Sequence, residues 1–383
     1  MLPIWKRKEN YAMRNKKRIA FYCSSLARGG AERVFVNLAE YFTDKGYQVF
    51  IVTQYRLKDE YTISDRIQRV ISDLTLEEVQ KGRIKNFINR YRKLRRILQE
   101  IHPDIVFSCI GKNNFMALAA GVFCKRKTVV SVVSDPKREY YTRYMRFLAK
   151  NYFVFADGIV LQTKQAMEYF PKRIQKKSVI LPNSLNPAFL KPRYEGVRKK
   201  EIVAVGRLDD NKNHAMLCRA FAKLAQDFPD YRVVIYGEGE KRKALEWLIG
   251  DLQMEDCIFL PGRTEHVEDE IYKSSLFVMT SNVEGMPNAL LEAMALGLPV
   301  ISTDCPCGGP GEMIRHGENG YLIPVRDEEA LQKQLRYCLS HPEEMDMVGR
   351  EAAKLQEKMN PESVNRQWEA YFNRVMAGVR EKS

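Results

Sequence analysis

The stretch Thr280-Ser-Asn-Val-Glu284-Gly-Met-Pro287-Asn-Ala-Leu-Leu-Glu292-Ala-Met-Ala-Leu-Gly297-Leu-Pro299-Val-Ile-Ser-Thr-Asp304-Cys-Pro-Cys-Gly-Gly-Pro310 decides how the rest of the chain is read. It carries a strand end, a Gly-Met-Pro turn, an amphipathic helix, a Gly-Leu-Pro stop and a second strand. Pro287 suits the first turn of a helix, where a missing N–H costs nothing. Gly297 and Pro299 end that helix. Free backbone N–H groups at its start make an anion site. Glu284 lies before the start and Glu292 inside the helix. Carboxylates so placed can grip a ligand with a phosphate in its middle and hydroxyls at both ends, the shape of a nucleotide sugar.

Outward from this stretch the pattern repeats. Glu201 to Val205, Tyr231 to Tyr236 and Asp256 to Leu260 read as strands alternating with helices. A strand at Asn319 to Ile323 follows, then helices from Asp327 onward. Leu185 to Lys200, with Pro187 and Pro192, reads as a linker. Before it, Arg18 to Cys23 is a β-rich run followed by Gly29-Gly30, a helical pattern and a strand at Gln48 to Gln54. Further strands are expected at His102 to Ser108, Thr128 to Ser134, Asp157 to Gln162 and Val179 to Leu181. Both halves therefore read as doubly wound α/β domains. The expected boundaries are 1–185 and 186–360, with 361–383 packing back on the first domain. The last helix carries Val364, Trp368, Phe372 and Val375 on one face, and so large an aromatic anchor needs a groove.

The chain has 383 residues and a formal net charge of +14. Residues 1–185 hold 36 Lys/Arg against 16 Asp/Glu, whereas residues 186–383 hold 26 against 32. Halves of opposite sign suggest different partners. No apolar run approaches the roughly 18 residues needed to cross a bilayer. Met1 to Lys17 is basic without the apolar core of a signal peptide, and reads as an extension. The eight cysteines are scattered, with Cys305 and Cys307 the one close pair. Reduced thiols are expected.

Lys81 to Glu100 is a basic amphipathic helix, its apolar stripe Ile84, Phe87, Ile88, Tyr91, Leu94 and Leu98 expected to pack on the sheet. Lys81, Arg83, Lys85, Arg92 and Arg95 suit anionic lipid or a phosphate-bearing acceptor. The Tyr- and Arg-rich stretch after Asp135 suits sugar and lipid headgroups, and no nucleic-acid-binding module accompanies it. In the second half the strand ends carry Arg207, Lys212, Gly237, Arg263 and Glu284. Arg207 and Lys212 supply a fork and a point charge suited to a diphosphate. A leaving group neutralised this way needs no metal, and the chain has no Asp-x-Asp motif.

On these residues the chain resembles the family 4 retaining glycosyltransferases of the GT-B fold, which include bacterial surface-glycan and lipid-linked sugar transferases. The resemblance spans Arg18 to Val379. It rests on Glu284 and Glu292 in their Gly-Met-Pro setting, on Gly206-Arg207-Leu208 with Lys212, and on Gly29-Gly30-Ala31-Glu32-Arg33. It implies two Rossmann-like domains facing a cleft, with the C-terminal helix crossing back. It further implies a nucleotide-sugar donor, a UDP-sugar above all, with Arg207 and Lys212 on the diphosphate and Glu292 on the ribose. Arg263 would lie beside the base. Glu284 would meet the sugar, with backbone near Gly285, Met286, Pro287 and Asn288. Gly29 and Gly30 would close over the phosphate. Transfer would retain the anomeric configuration by a single-face displacement, with a double displacement through a carboxylate nucleophile as the alternative. Relatives commonly carry a His after the strand at Thr128 to Ser134. This chain has Ser134-Asp135 there, and Asp135 is the substitute. The implied setting is cytoplasmic, at the inner face of the plasma membrane, with a lipid-linked or polymeric glycan as acceptor and no cofactor. A nucleotide-sugar epimerase of the same architecture and a basic non-enzymatic module are the competing readings.

Overall fold

The computed structural model describes residues 16–79 and 82–378. The chain divides into two units. The first holds residues up to Leu161, Glu168–Leu181 and Asn365 onward, and the second holds Gln162–Met167 and Pro182–Val364. The change of unit thus falls at Pro182, and a short excursion at Gln162–Met167 joins the second unit. Leu185 and Phe189, expected in a linker, are each 1% exposed and belong to the second unit's core.

In the first unit, strands β1 (Arg18–Cys23), β2 (Gln48–Thr53), β3 (Gln68–Ile71), β4 (Ile105–Cys109), β5 (Lys127–Val132), β6 (Gly158–Leu161) and β7 (Ser178–Ile180) form one parallel sheet. Its order is β3-β2-β1-β4-β5-β6-β7. Strand β3, Gln-Arg-Val-Ile at a half-buried edge, is too polar to read as a strand from sequence. Alternation sorts the side chains to two faces. Ala20 and Tyr22 of β1 share one core cluster with Phe50, Val52, Leu94 and Leu98. Phe21 points the other way, its ring 5.1 Å from Phe35 and 5.6 Å from Phe107. The C-terminal helix Pro361–Met376 completes that face. Phe372 stacks on Phe42 at 5.0 Å, and Trp368 meets Phe107 edge-on at 5.6 Å.

In the second unit, β8 (Lys199–Val205), β9 (Arg232–Tyr236), β10 (Ile258–Gly262), β11 (Ser274–Met279), β12 (Val300–Thr303) and β13 (Tyr321–Ile323) form a second parallel sheet, ordered β10-β9-β8-β11-β12-β13. The helix Asn288–Ala295 and Leu185 pack with Val203, Phe277 and Val300 on one face. The helices His214–Ala222 and Glu328–Ser340 pack with Ile202, Val233 and Val278 on the other. Strand order reverses between β1 and β4 in the first sheet and between β8 and β11 in the second. Ligands of open α/β sheets bind outside the strands' carboxyl ends at such reversals.

Candidate active site

The loops leaving β8 and β11, on either side of the second sheet's reversal, are laced together. Asn282 donates its backbone N–H to the Asn211 carbonyl at 2.7 Å, and Asn211 Nδ2 donates to the Val283 carbonyl at 3.0 Å. Thr280 Oγ1 donates to the Lys212 and Asn213 carbonyls at 2.9 and 3.0 Å. This lacing brings Lys212 and Glu284, 72 residues apart, into an ion pair with Nζ to Oε1 at 2.6 Å. Both side chains are mostly shielded, 16% and 14% exposed. Water therefore screens the pair only weakly, and an anion placed there would compete with Glu284 for the ammonium.

Asp209, which sequence reading passed over, organises the cations. Its Oδ1 accepts the Lys212 backbone N–H at 2.9 Å, and its Oδ2 holds Arg207 Nε at 2.9 Å. Arg207 remains 66% exposed, so its guanidinium is oriented without being buried. His214, next along, is 5% exposed. Burial, and then the Lys212 charge, push its imidazole down to about 4, so it is neutral at physiological pH.

Glu284 is fixed from behind by the Cys305–Cys307 turn. Its N–H donates to the Pro306 carbonyl and its carbonyl accepts from the Cys307 N–H, each at 2.7 Å. A Cβ on Gly309 would lie 1.6 Å from the Gly285 carbonyl oxygen, so only glycine permits this approach. The Cys305 thiol is pushed up to about 12 by burial and by the Glu284 charge beside it. All eight cysteines are free, and six of them are buried.

The helix Asn288–Ala295 begins after Pro287, which occupies the capping position. Glu292, within that helix, is 4% exposed. The Met286 N–H, expected to face a ligand, donates instead to Gln162 Oε1 at 3.1 Å. Asn183 bonds both Gln162 and Asn288, at 2.6 and 2.8 Å. Gln162 and Asn183 thus brace the Gly285–Asn288 turn, a role no motif announces. Gly237, φ +147°, lets the loop after β9 lie against Gly206, and its N–H reaches the Gly262 carbonyl at 2.8 Å. Arg263 follows on the exposed surface. Among the described residues, His266, Glu268 and Asp269 place ligand atoms within 4.8 Å of one another, but Asp269 is paired with Lys191.

The remaining expected residues lie in the first unit. Neither Gly29 nor Gly30 has a positive φ. Gly29 caps the helix Gly30–Asp44, and the Glu32 carboxylate folds over it where a Cβ would stand. Asp135 caps the short helix Pro136–Glu139 through the Lys137 N–H at 2.9 Å. Lys81 lies outside the described residues. Lys85 and Arg92 are exposed, and the Arg95 guanidinium covers the Phe123 ring at 4.2 Å. The helix runs Arg83–Ile101, and its stripe does not all pack. Leu94 and Leu98 are buried, but Ile84, Phe87 and Ile88 are 79%, 53% and 40% exposed. No helix among the described residues is long and apolar enough to cross a membrane.

Residues 28–189 match the family described as Glycosyltransferase Family 4, and residues 191–355 match Glycosyl transferases group 1. The chain belongs to the glycosyltransferases of the GT-B fold. An uncharacterized glycosyltransferase of Haemophilus influenzae is 26% identical over 92% of this chain and 99% of its own. A Campylobacter jejuni α-1,4-N-acetyl-D-galactosaminyltransferase, named for a saccharide on diphospho-undecaprenol, is 26% identical over 84% of this chain and 89% of its own. The crystal structure of Anabaena HepE with UDP and glucose superposes with a TM-score of 0.79 at 17% identity, over 93% of this chain and 99% of that one. These matches favour a transferase over an epimerase or a non-enzymatic basic module.

Proposed function

We propose that this glycosyltransferase moves a sugar from a UDP-sugar to a lipid-linked or polymeric glycan, with retention of configuration and without a metal ion. The observation that carries the reading is the shielded Lys212–Glu284 pair at the second sheet's reversal. Lys212 and Arg207 hold the diphosphate, and Asp209 fixes both. Glu292 takes the ribose hydroxyls, Arg263 lies beside the base, and Glu284 meets the sugar. The UDP held by HepE and the undecaprenyl-linked substrate in the Campylobacter enzyme's name support the choice of donor and acceptor.

In this mechanism the bond from the anomeric carbon to the diphosphate oxygen breaks on the same face on which the acceptor oxygen bonds. The acceptor's proton passes to the departing phosphate oxygen. Lys212 and Arg207 stabilise the charge that develops there, a role electrostatic preorganisation suits. Glu284 then positions the sugar and is not a nucleophile.

Attachment to an anionic membrane belongs to the same reading, at the cytoplasmic face. The unpacked Ile84, Phe87 and Ile88 support it, as do the exposed Tyr144 and Phe147 on the basic helix Arg143–Tyr152.

The test is release of UDP from a panel of UDP-sugars mixed with polyprenyl-diphosphate saccharides, in the presence of a chelator. Turnover should persist with chelator and fall at least about a hundredfold in Lys212→Ala and in Glu284→Ala, the scale of removing one transition-state contact. A wild-type chain that releases no UDP from any combination sinks the reading.

A further inference from the structure

The helices His214–Ala222 and Glu328–Ser340, which cover one face of the second sheet, leave a pocket of about 220 Å³ between their ends. Asn213, Met216 and Arg219 line it from the first helix and the residue before it. Asn282 lines it from the loop after β11, and Arg326 and Glu328 from the turn after β13 and the start of the second helix. Arg207, Lys212, Glu284, Glu292 and Arg263, the groups that the proposed function gives to the donor, are not among its walls. The pocket adjoins the donor's loops through Asn282, whose Nδ2 donates to the Asp210 carbonyl at 2.7 Å, but it uses other cations.

These cations have donors to spare. Arg326 Nε donates to Asn282 Oδ1 at 3.0 Å, and Arg219 Nε donates to Glu328 Oε2 at 2.7 Å. The Nη groups of both arginines donate to nothing among the described residues. Lys223 Nζ also reaches Glu328, at Oε1 and 2.7 Å, so one carboxylate answers two cations. Arg326 has no carboxylate partner among the described residues. Its neighbour Asp327 turns Oδ1 to the Ala330 N–H at 2.9 Å, as the cap of the helix. Like charges drawn into one concavity focus a positive potential there, which an anion between them relieves.

The walls also say what kind of anion fits. A guanidinium fork matches phosphate oxygens in pairs. Asn213 turns its Nδ2 to the Met216 sulfur at 3.6 Å, which leaves Oδ1 as an acceptor, and Glu328 is an acceptor beside it. Acceptors next to a phosphate site suit hydroxyl groups on the same ligand. The volume lies below the roughly 300 Å³ at which drug-sized ligands begin, so the body beyond the phosphate is small. We propose that this pocket binds a small hydroxylated phosphate monoester, with Arg219 and Arg326 on the phosphate and Asn213 and Glu328 on the hydroxyls, at a site separate from the donor's. The inference stands independently of the glycosyl-transfer reading, because no donor group takes part in it.

The experiment is titration calorimetry of the full chain with glycerol 3-phosphate, and with inorganic phosphate and glycerol as its two parts. Glycerol 3-phosphate should bind more tightly than either part. Arg219→Gln and Arg326→Gln should each weaken it at least about tenfold, the scale of a lost charge-assisted hydrogen bond. Lys212→Ala, which strips the donor loops of their shielded cation, should leave its Kd within about twofold. Glu328→Gln should bind inorganic phosphate more tightly than wild type, because it removes the opposing charge and releases Arg219 and Lys223. A merely structural defect would not strengthen binding. If Arg219→Gln fails to fold by circular dichroism, Arg326→Gln decides, its one tie being to Asn282. Binding that is lost in Lys212→Ala and kept in Arg326→Gln would place the phosphate on the donor loops and overturn the inference. A wild-type chain that binds neither phosphate compound would overturn it too, and equal affinity for the two would overturn the assignment to a monoester.

Discussion

At the residue scale the Lys212–Glu284 pair poses the sharpest question, since the proposed function gives each partner a second task once a donor arrives. Removing one member of a shielded pair leaves the other charge uncompensated. In Glu284→Gln the Lys212 ammonium loses its carboxylate, and a diphosphate becomes its strongest available partner. We therefore predict that UDP raises the melting temperature of Glu284→Gln by more than it raises that of wild type, even as turnover is lost. Binding to the folded state alone stabilises by mass action. Equal or smaller shifts in the variant would show that Lys212 does not meet the phosphate. Arg207, Lys212, Glu284 and Glu292 were all legible as a motif, because short spacings and flanking glycines mark them in the sequence. Asp209, Gln162 and Asn183 were not. Each braces a loop through single hydrogen bonds to backbone or amide groups, and such bonds leave no periodicity to read.

At the scale of elements, alternation and glycine stops located most strands, and the aromatic face of the last helix announced a groove. That groove is made by Phe42 and Phe107 of the first unit, with Tyr41 and Tyr47 donating their hydroxyls to Glu369 at 2.9 and 3.1 Å. The helix Arg83–Ile101 shows where periodicity misleads. Its apolar stripe is continuous in sequence, but the sheet beneath meets only its second half, at Leu94, Leu98 and Ile101. Periodicity reports an apolar face and not what covers it. Ile84 and Phe87 stand exposed, as do Tyr144 and Phe147 on the helix Arg143–Tyr152, each beside cations. An amphipathic helix binds an anionic bilayer through apolar burial plus charge. Phe87→Ser with Tyr144→Ser and Phe147→Ser is thus predicted to weaken sedimentation with phosphatidylglycerol vesicles at both low and high salt. Replacing Lys85, Arg92 and Arg95 by Gln should weaken it only at low salt, where screening is slight. Vesicle binding that none of these changes alters would remove the membrane proposal.

At the scale of the molecule, two sheets of one architecture carry opposite electrostatic problems. The first unit half-buries a carboxylate: desolvation pushes Glu139 up to about 7, against the pull of the Gly111 and Val133 N–H groups. Tyr140 and Cys109, the titratable groups facing it, are themselves held protonated by burial and by the Glu139 charge. The second unit encloses an imidazole: His214 is pushed down to about 4, with Lys212 opposing its charge and Asp209 favouring it. The signs follow from linkage. For Glu139 the folded state binds the proton more tightly than the unfolded chain. Its contribution is complete below pH 4.5 and is lost as pH rises to 7. For His214 the unfolded chain binds the proton more tightly. Its contribution is complete above pH 6.5 and is lost as pH falls toward 4. Each shift corresponds to about 3 kcal/mol at most. Calorimetry between pH 4.5 and 6.5 should therefore resolve two transitions that move in opposite directions, the first unit's falling and the second's rising with pH. Glu139→Gln should flatten the one and His214→Asn the other, each leaving its counterpart in place. Two transitions that shift together, or variants that flatten neither, would show that these buried groups do not set the pH response of their units.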